Sequence, residues 1–361
     1  MCLNALSARR HPAGHLCKTL VAVFLAGLLL APSAALAELR VHIMDVGQGE
    51  AVLLKTDEHT VLVDGGRSRD EVADYLRQRG ISRVDIMIAT HPHADHINGL
   101  TGVLARKTVG AIWYNGQYHD TQTFQRFRDA ISAAEATYYE PDRDSGARLG
   151  DLQLEVLHPE RTAAGYDGPV HDHNIVLRAR YGEFAMILTG DIEHAGELDI
   201  VRSGQDVRAN VLQLGHHGSR TSTHRDFVAA VAPTTAFYQA GVDNRYGHPH
   251  PEPLAVLNAA SVQVYGTDSH GHIVLTASRD GAYQIATERE GTIELPDAAA
   301  ACIDLNHASA SELTRITHIG PARARAIISG RPWASVGALQ RISGLGPARL
   351  RDIREQGLAC V

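Results

Sequence analysis

Apolar positions fall into short runs that stop abruptly at glycine, histidine or aspartate. Val84-Asp85-Ile86-Met87-Ile88-Ala89, Phe184-Ala185-Met186-Ile187-Leu188 and Asn210-Val211-Leu212-Gln213-Leu214 each have the length and composition of a buried strand. Each run delivers chemistry at its end: Thr90-His91-Pro92-His93-Ala94-Asp95-His96, then Thr189-Gly190-Asp191, then Gly215-His216-His217-Gly218-Ser219. Near the N-terminus the pattern differs. A 12-residue apolar stretch, Thr19 to Leu30, follows Arg9, Arg10 and Lys18 and precedes Ala35-Leu36-Ala37, which predicts a secretory signal peptide over residues 1–37. The stretch is shorter than the roughly 18 to 20 apolar residues that span a bilayer, and no later run approaches that length. The expectation is a periplasmic or secreted protein without a transmembrane segment after the signal peptide.

The C-terminal pattern is helical and repeats at an offset of 26 residues. Ile316-Thr317-His318-Ile319-Gly320-Pro321-Ala322-Arg323-Ala324-Arg325 aligns with Ile342-Ser343-Gly344-Leu345-Gly346-Pro347-Ala348-Arg349-Leu350-Arg351. Each copy predicts a helix, a tight glycine hairpin and a second helix. Ser309 and Glu312 form a capping box, Pro321 and Pro347 sit at first-turn positions, and Gly330 and Gly357 suit helix ends. Pro296 and the alanines 298 to 301 mark a linker at 291–300, between a domain at 38–290 and a module at 301–361.

Charge supports that division. The 361 residues carry 34 basic and 41 acidic side chains; without residues 1–37 the basic count falls to 31 and the net charge becomes −10. An acidic chain is a poor general binder of polyanions, but residues 301–361 hold 8 Arg against 4 acids, a basic module on an acidic body. Of the 4 cysteines, Cys302 and Cys360 remain once the leader is set aside. They bracket the module and are expected to pair in an oxidising compartment, closing a loop worth about 2 to 4 kcal/mol. The 21 histidines favour metal chemistry.

His91, His93, Asp95 and His96 place four ligand-type side chains within six residues just past a strand, where a loop can converge them on a cation. Asp191, a carboxylate at a strand end, can bridge two cations, and one of His216 and His217 adds a further ligand. With mixed histidine and carboxylate donors, one or two divalent ions, Zn²⁺ or Mn²⁺, are chemically reasonable.

At these residues the chain resembles the metallo-β-lactamase superfamily, specifically the hydrolase domain of ComEC-type DNA-uptake proteins. Met44-Asp45-Val46-Gly47-Gln48-Gly49-Glu50, Leu62-Val63-Asp64-Gly65-Gly66, the His91 to His96 motif, Thr189-Gly190-Asp191-Ile192-Glu193, His216-His217-Gly218-Ser219 and Tyr246-Gly247-His248-Pro249 carry the likeness. It implies an α/β fold, a four-layer αββα sandwich, with the metal site at one sheet edge. His91 and His93 would bind one metal, Asp95 and His96 a second, with Asp191 bridging and His216, or instead His217, as the last ligand. Asp172 or His173 would complete the first site, and Glu50 stands where the subgroup usually has Asp.

The resemblance implies metal-bound hydroxide attacking phosphorus or a carbonyl. Asp95, His217 and His248 are the candidate catalytic groups, with His248 binding a phosphate oxygen or protonating the leaving group. No role is assigned to His119, His158, His194, His224 or His270. The C-terminal module resembles the tandem helix-hairpin-helix domain of the DNA receptor ComEA. This implies DNA-backbone contacts, not sequence-specific, through Gly320, Gly344, Gly346, Arg323, Arg325, Arg349 and Arg351, the second hairpin being the better site because His318 stands where the second has Gly344. The expected function is a metal-dependent deoxyribonuclease or phosphodiesterase. The rivals are a small-molecule hydrolase such as a lactonase or phosphorylcholine esterase, and a non-catalytic DNA-uptake accessory.

Overall fold

The structure, a computed structural model, describes residues 38–162, 168–296 and 302–361. The leader expected at 1–37 and residues 297–300 of the expected linker lie outside them. Where both faces of a strand are buried, a continuous apolar run results, with successive side chains entering different cores. Val52-Leu53-Leu54 shows this: Val52 and Leu54 face one core and Leu53 another. Phe184, Met186 and Leu188 enter that first core, while Ala185 and Ile187 enter a third.

Two sheets arise from this alternation. The first is eight-stranded, ordered from edge to edge Tyr283–Thr287, Ile273–Ala277, Leu39–Ile43, Val52–Lys55, Thr60–Val63, Arg83–Ala89, Thr108–Tyr114 and Thr137–Tyr139. The second is seven-stranded: Gln263–Gly266, Thr235–Tyr238, Val211–Gln213, Phe184–Leu188, Val176–Tyr181, Leu152–His158 and Gly146–Leu149. Their inner faces share the core of Val41, Val63, Ile88, Trp113, Leu177, Met186 and Phe237. Helices Glu71–Gln78, Ala94–Arg106 and Gln122–Ala133 cover the outer face of the first sheet through Leu76, Ile97, Leu100 and Phe127. Helices His194–Ser203, Arg225–Val231 and Pro251–Ala259 cover the second through Ile200, Phe227 and Leu257. The expected four-layer αββα sandwich is present.

The C-terminal residues build a separate small core from Leu313, Ile316, Ile327, Trp333, Leu345, Leu350 and Ile353. Helices span Ala310–Leu313, Pro321–Ser329 and Pro347–Gln356. The Ser309–Glu312 capping box forms, and Gly357 ends the last helix with φ 69°. The opening helix of the second repeat is instead a 3₁₀ segment, Val336–Arg341, where Gly337 disfavours the α-helix. Cys302 and Cys360 are disulfide-bonded beside the short parallel pair Ile303–Asp304 and Ala359–Cys360. Arg225 donates to the carbonyls of Gly357 (3.2 Å) and Ala359 (3.4 Å), and Arg315 pairs with buried Glu252, so the module packs on the second helical layer. No helix of the described residues is long and apolar enough to cross a membrane.

Candidate metal centre

The strand Arg83–Ala89 ends at the inner edge of the sandwich, and Thr90 to His93 form the loop into the helix Ala94–Arg106, of which His93 is the N-cap. Asp95 lies in its first turn, where the helix dipole favours a carboxylate. The helix can lie this close because of glycine: a Cβ on Gly99 would sit 1.7 Å from the Gly65 carbonyl oxygen. Asp64 accepts from the Thr90 N–H (2.9 Å) and hydroxyl (2.7 Å), and His96 Nδ1 lies 2.7 Å from the same carboxylate. That contact fixes the ring so that Nε2 faces Asp191 Oδ1 at 3.3 Å.

Asp191 follows Gly190 in a turn gripped by buried Asn174, whose amide donates to the Thr189 carbonyl (2.6 Å) and whose oxygen accepts from the Asp191 N–H (3.1 Å). The carboxylate divides its histidines. Oδ2 faces His91 Nε2 (3.5 Å), His171 Nε2 (3.7 Å) and His216 Nε2 (3.8 Å), whereas Oδ1 faces His96 Nε2 and His217 Nε2 (3.5 Å). Among the groups of donors that converge, two lie on either side of Asp191. His91, His93, His171 and Asp191 converge in one, and Asp95, His96 and His217 in the other, the ligand atoms of each within 4.8 Å of one another.

Backbone conformation separates His216 from His217. Both are left-handed, with φ 50° and 58°, a geometry that costs non-glycine residues about 1 to 2 kcal/mol each. It turns the neighbouring rings to different places. His216 stands 4.4 Å from the His171 ring, His217 5.2 Å from the His96 ring. His217 Nδ1 pairs with the Gln239 carbonyl at 2.9 Å, leaving Nε2 for Asp95 (3.8 Å) and Asp191.

Electrostatics follow from burial and from these carboxylates. Burial presses the His91 imidazole well below its ordinary pKa and holds His93 at about 4. Burial also opposes charge on His96, but Asp191 and Asp64 outweigh it and raise the group well above its usual range. Asp191 is held well below the usual carboxylate range, because His96, His217, His216 and His91 outweigh its burial. Glu50, wholly buried beneath the cluster, is pushed to about 8 by desolvation and the Asp64 carboxylate. His248, desolvated and facing His217, His250 and His216, is held to about 3 and is neutral at pH 7.

The residues fit divalent cations. His91 Nε2, His96 Nε2, His217 Nε2 and Asp191 Oδ1 are buried and make no hydrogen bond among the described residues, which costs about 1 to 3 kcal/mol each unless another partner takes them. Histidine nitrogens with carboxylate oxygens are the donors that Zn²⁺ and Mn²⁺ accept.

Some ligand expectations shift. His171, from the 3₁₀ turn Val170–His173, enters the first group, and neither Asp172 nor His173 belongs to the converging groups. In the second group stands His217, while His216 groups with His171 and Glu193. Glu193 meets His171 Nδ1 at 3.2 Å and His216 Nδ1 at 3.3 Å, so one carboxylate orients two rings. From sequence alone His171, Glu193 and Asp64 carried no role, although Asp64 and Glu193 stand in motifs of the resemblance. His119 lines the cleft, 5.4 Å from the His93 ring, with Gln48, Arg67, Tyr246 and His248.

In the C-terminal module Gly320, Gly344, Gly346, Arg325, Arg349 and Arg351 are exposed and Arg323 is half-buried. Gly344 has φ 79°, and His318, its counterpart in the first hairpin, takes φ 61°. A Cβ on Gly320 or Gly346 would meet nothing within 4 Å, so both helix N-termini are open to approach. Arg349 donates to the Gly344 carbonyl (2.8 Å) and Arg323 to that of His318 (2.8 Å), each bracing its own hairpin.

A four-layer sandwich with a two-sided histidine and carboxylate cluster at its edge defines a metallo-hydrolase class. The family model of the metallo-beta-lactamase superfamily matches residues 44–241 and that of the helix-hairpin-helix motif residues 299–356; the chain belongs to the metallo-beta-lactamase superfamily and carries a helix-hairpin-helix domain. It is 30% identical over 261 residues to ComE operon protein 3 of Bacillus subtilis, covering 66% of this chain and 33% of that protein. It is 54% identical over 68 residues to a deoxyribonuclease of Thioalkalivibrio, covering 19% of each. It is also 25% identical over 169 residues to exodeoxyribonuclease WalJ of Streptococcus pneumoniae, covering 43% of this chain and 62% of that one. The chain thus spans about a third of the length of the ComE-type relative it matches.

Proposed function

We propose that this chain is an exported, divalent-metal-dependent phosphodiesterase that cuts DNA, with a sandwich at 38–290, a linker at 291–300 and a DNA-holding module at 301–361. The observation that carries the reading is the presence, on one packed body, of a two-sided metal cluster and a basic helix-hairpin-helix module. Fold alone would leave the substrate open. The names of two relatives, a deoxyribonuclease and an exodeoxyribonuclease, support the same choice. Export rests on the N-terminal pattern and on the Cys302–Cys360 disulfide, a bond that persists in oxidising compartments.

His91, His93, His171 and Asp191 would hold one cation, and Asp95, His96, His217 and Asp191 another. Bound there, divalent ions supply Lewis acidity and activate water at neutral pH. The chain's own groups do the rest. Asp64 fixes the His96 ring, Glu193 fixes His171 and His216, and the Gln239 carbonyl fixes His217. Neutral His248, 3.5 Å from the Gln48 amide, offers one ring N–H to a phosphate oxygen, and Arg67, 3.6 Å from Asp95, offers a guanidinium. The module would grip the backbone through the open N-termini at Gly320 and Gly346 and through Arg325, Arg349 and Arg351, without reading sequence.

Digestion of circular and linear DNA by residues 38–361 tests this, with chelator, with Mn²⁺ or Zn²⁺ restored, and with an Asp95→Ala, His96→Ala control. Metal-dependent cutting that the double variant lacks is the expected result. DNA bound but intact under every metal condition favours a binding accessory. DNA neither bound nor cut favours a small-molecule hydrolase.

A further inference from the structure

The cleft beside the metal cluster carries an aromatic ring that the chemistry above does not use. Tyr246 lines the cleft and is 42% exposed, one of few large apolar side chains of the described residues left in water. Its ring lies nearly parallel to His248, 22° between planes and 5.6 Å between centroids. The loop beneath is braced by Asn244, whose oxygen accepts from the N–H groups of Tyr246 (3.2 Å) and His248 (3.0 Å) and whose amide donates to the His248 carbonyl (2.6 Å). The ring is therefore held in place before any ligand arrives. One cation covers it and a second shares the cleft. Arg245, fully exposed, lies 4.8 Å over the ring and donates to its hydroxyl at 2.7 Å, and Arg67 stands on the Asp95 side of the cleft.

A water-exposed π-face with one guanidinium over it, in a cleft that holds a second, matches a nucleotide: the ring meets a base and the cations meet phosphates. We propose that Tyr246 is a stacking platform for an unpaired nucleobase adjoining the scissile phosphate, so that the metal cleft takes single-stranded DNA. The inference rests on the phosphodiesterase reading and adds the strand class to it. A base lying on Tyr246 cannot lie on its duplex neighbour, so double-stranded DNA must first unpair there, which disfavours it. Arg245 exchanges the ring for the base and keeps its charge beside the phosphate.

The test compares two esters with one leaving group, thymidine 5′-(4-nitrophenyl) phosphate and its abasic deoxyribose counterpart, on the metal-loaded protein. The wild type is expected to prefer the base-bearing ester roughly tenfold in kcat/KM, through KM. Tyr246→Ala brings that ratio close to one, and Tyr246→Phe and Tyr246→Trp retain it. In parallel, single-stranded oligonucleotides are cut faster than the same sequence as duplex. A tyrosine that only props His248 slows both esters alike in Tyr246→Ala and leaves the ratio unchanged, which overturns the platform. Equal turnover of the two esters by the wild type also overturns it while leaving the phosphodiesterase standing; hydrolysis of neither ester nor DNA sinks both.

Discussion

Glu193 shows how much a single carboxylate does at this cluster. It sits 3.2 and 3.3 Å from the Nδ1 atoms of His171 and His216, so its geometry orients rings contributed by two separate loops. Glu193→Gln is expected to weaken metal binding about 10- to 100-fold, read by equilibrium dialysis against Zn²⁺; unchanged affinity would remove the orienting role. Glu197, four residues on, is wholly buried and accepts from the backbone N–H groups of Thr223 (2.6 Å) and His224 (2.7 Å), yet burial still raises it to about 7. A carboxyl whose folded pKa is raised contributes stability that is fully present below its unfolded value near 4.5 and is lost as pH rises through 7. Wild-type stability relative to Glu197→Gln should therefore decline between about pH 4.5 and 7 by up to roughly 3 kcal/mol and level off above. Urea midpoints across that range give the slope, and a flat difference would contradict it.

Elements rather than residues bring the ligands together. The helix Ala94–Arg106 carries Asp95 and His96 to the cluster only because Gly99 and Gly102 let its backbone lie on the loop from Gly65 to Arg69. Gly99→Ala would put a methyl 1.7 Å from the Gly65 carbonyl oxygen, and backbone cannot yield as a side chain can. A loss of about 1 to 3 kcal/mol or more is expected, together with weakened metal binding, and calorimetry with metal analysis reads both. The strands before the three motifs were legible in sequence because strands buried on both faces write themselves as apolar runs. The short segment Val170–His173 was not, since a 3₁₀ turn has no hydrophobic period; Asp172 or His173 was expected to complete the first site, and the turn's orientation instead brings His171 to it.

At the scale of the whole molecule, the sandwich and the C-terminal module hold separate cores, each with one of the chain's two tryptophans, Trp113 and Trp333. Their stabilities should respond to different reagents. With Trp113→Phe, the remaining fluorescence follows the module, and reduction of Cys302–Cys360 should lower its urea midpoint by the equivalent of about 2 to 4 kcal/mol. With Trp333→Phe, it follows the sandwich, and a chelator should lower its midpoint by about 2.7 kcal/mol if metal had been present at a hundredfold over Kd. Crossed responses, with chelation felt only by Trp333, would contradict the assignment of the metal to the sandwich.

Residue order alone predicted the buried strands, the capping box and the hairpins, because periodicity, capping residues and hairpin glycines are local properties of neighbouring residues, whereas the sandwich came from the resemblance to the metallo-β-lactamase superfamily. The pairing of Cys302 with Cys360 was equally legible, since the other two cysteines, Cys2 and Cys17, stand in the N-terminal stretch read as a leader. Which of His216 and His217 faces which oxygen of Asp191 was settled by tertiary packing. That choice depends on two left-handed residues and on a carboxylate, Glu193, folded in from another loop. Ring direction is set by backbone dihedrals and by partners distant in the chain, and residue order alone does not encode it.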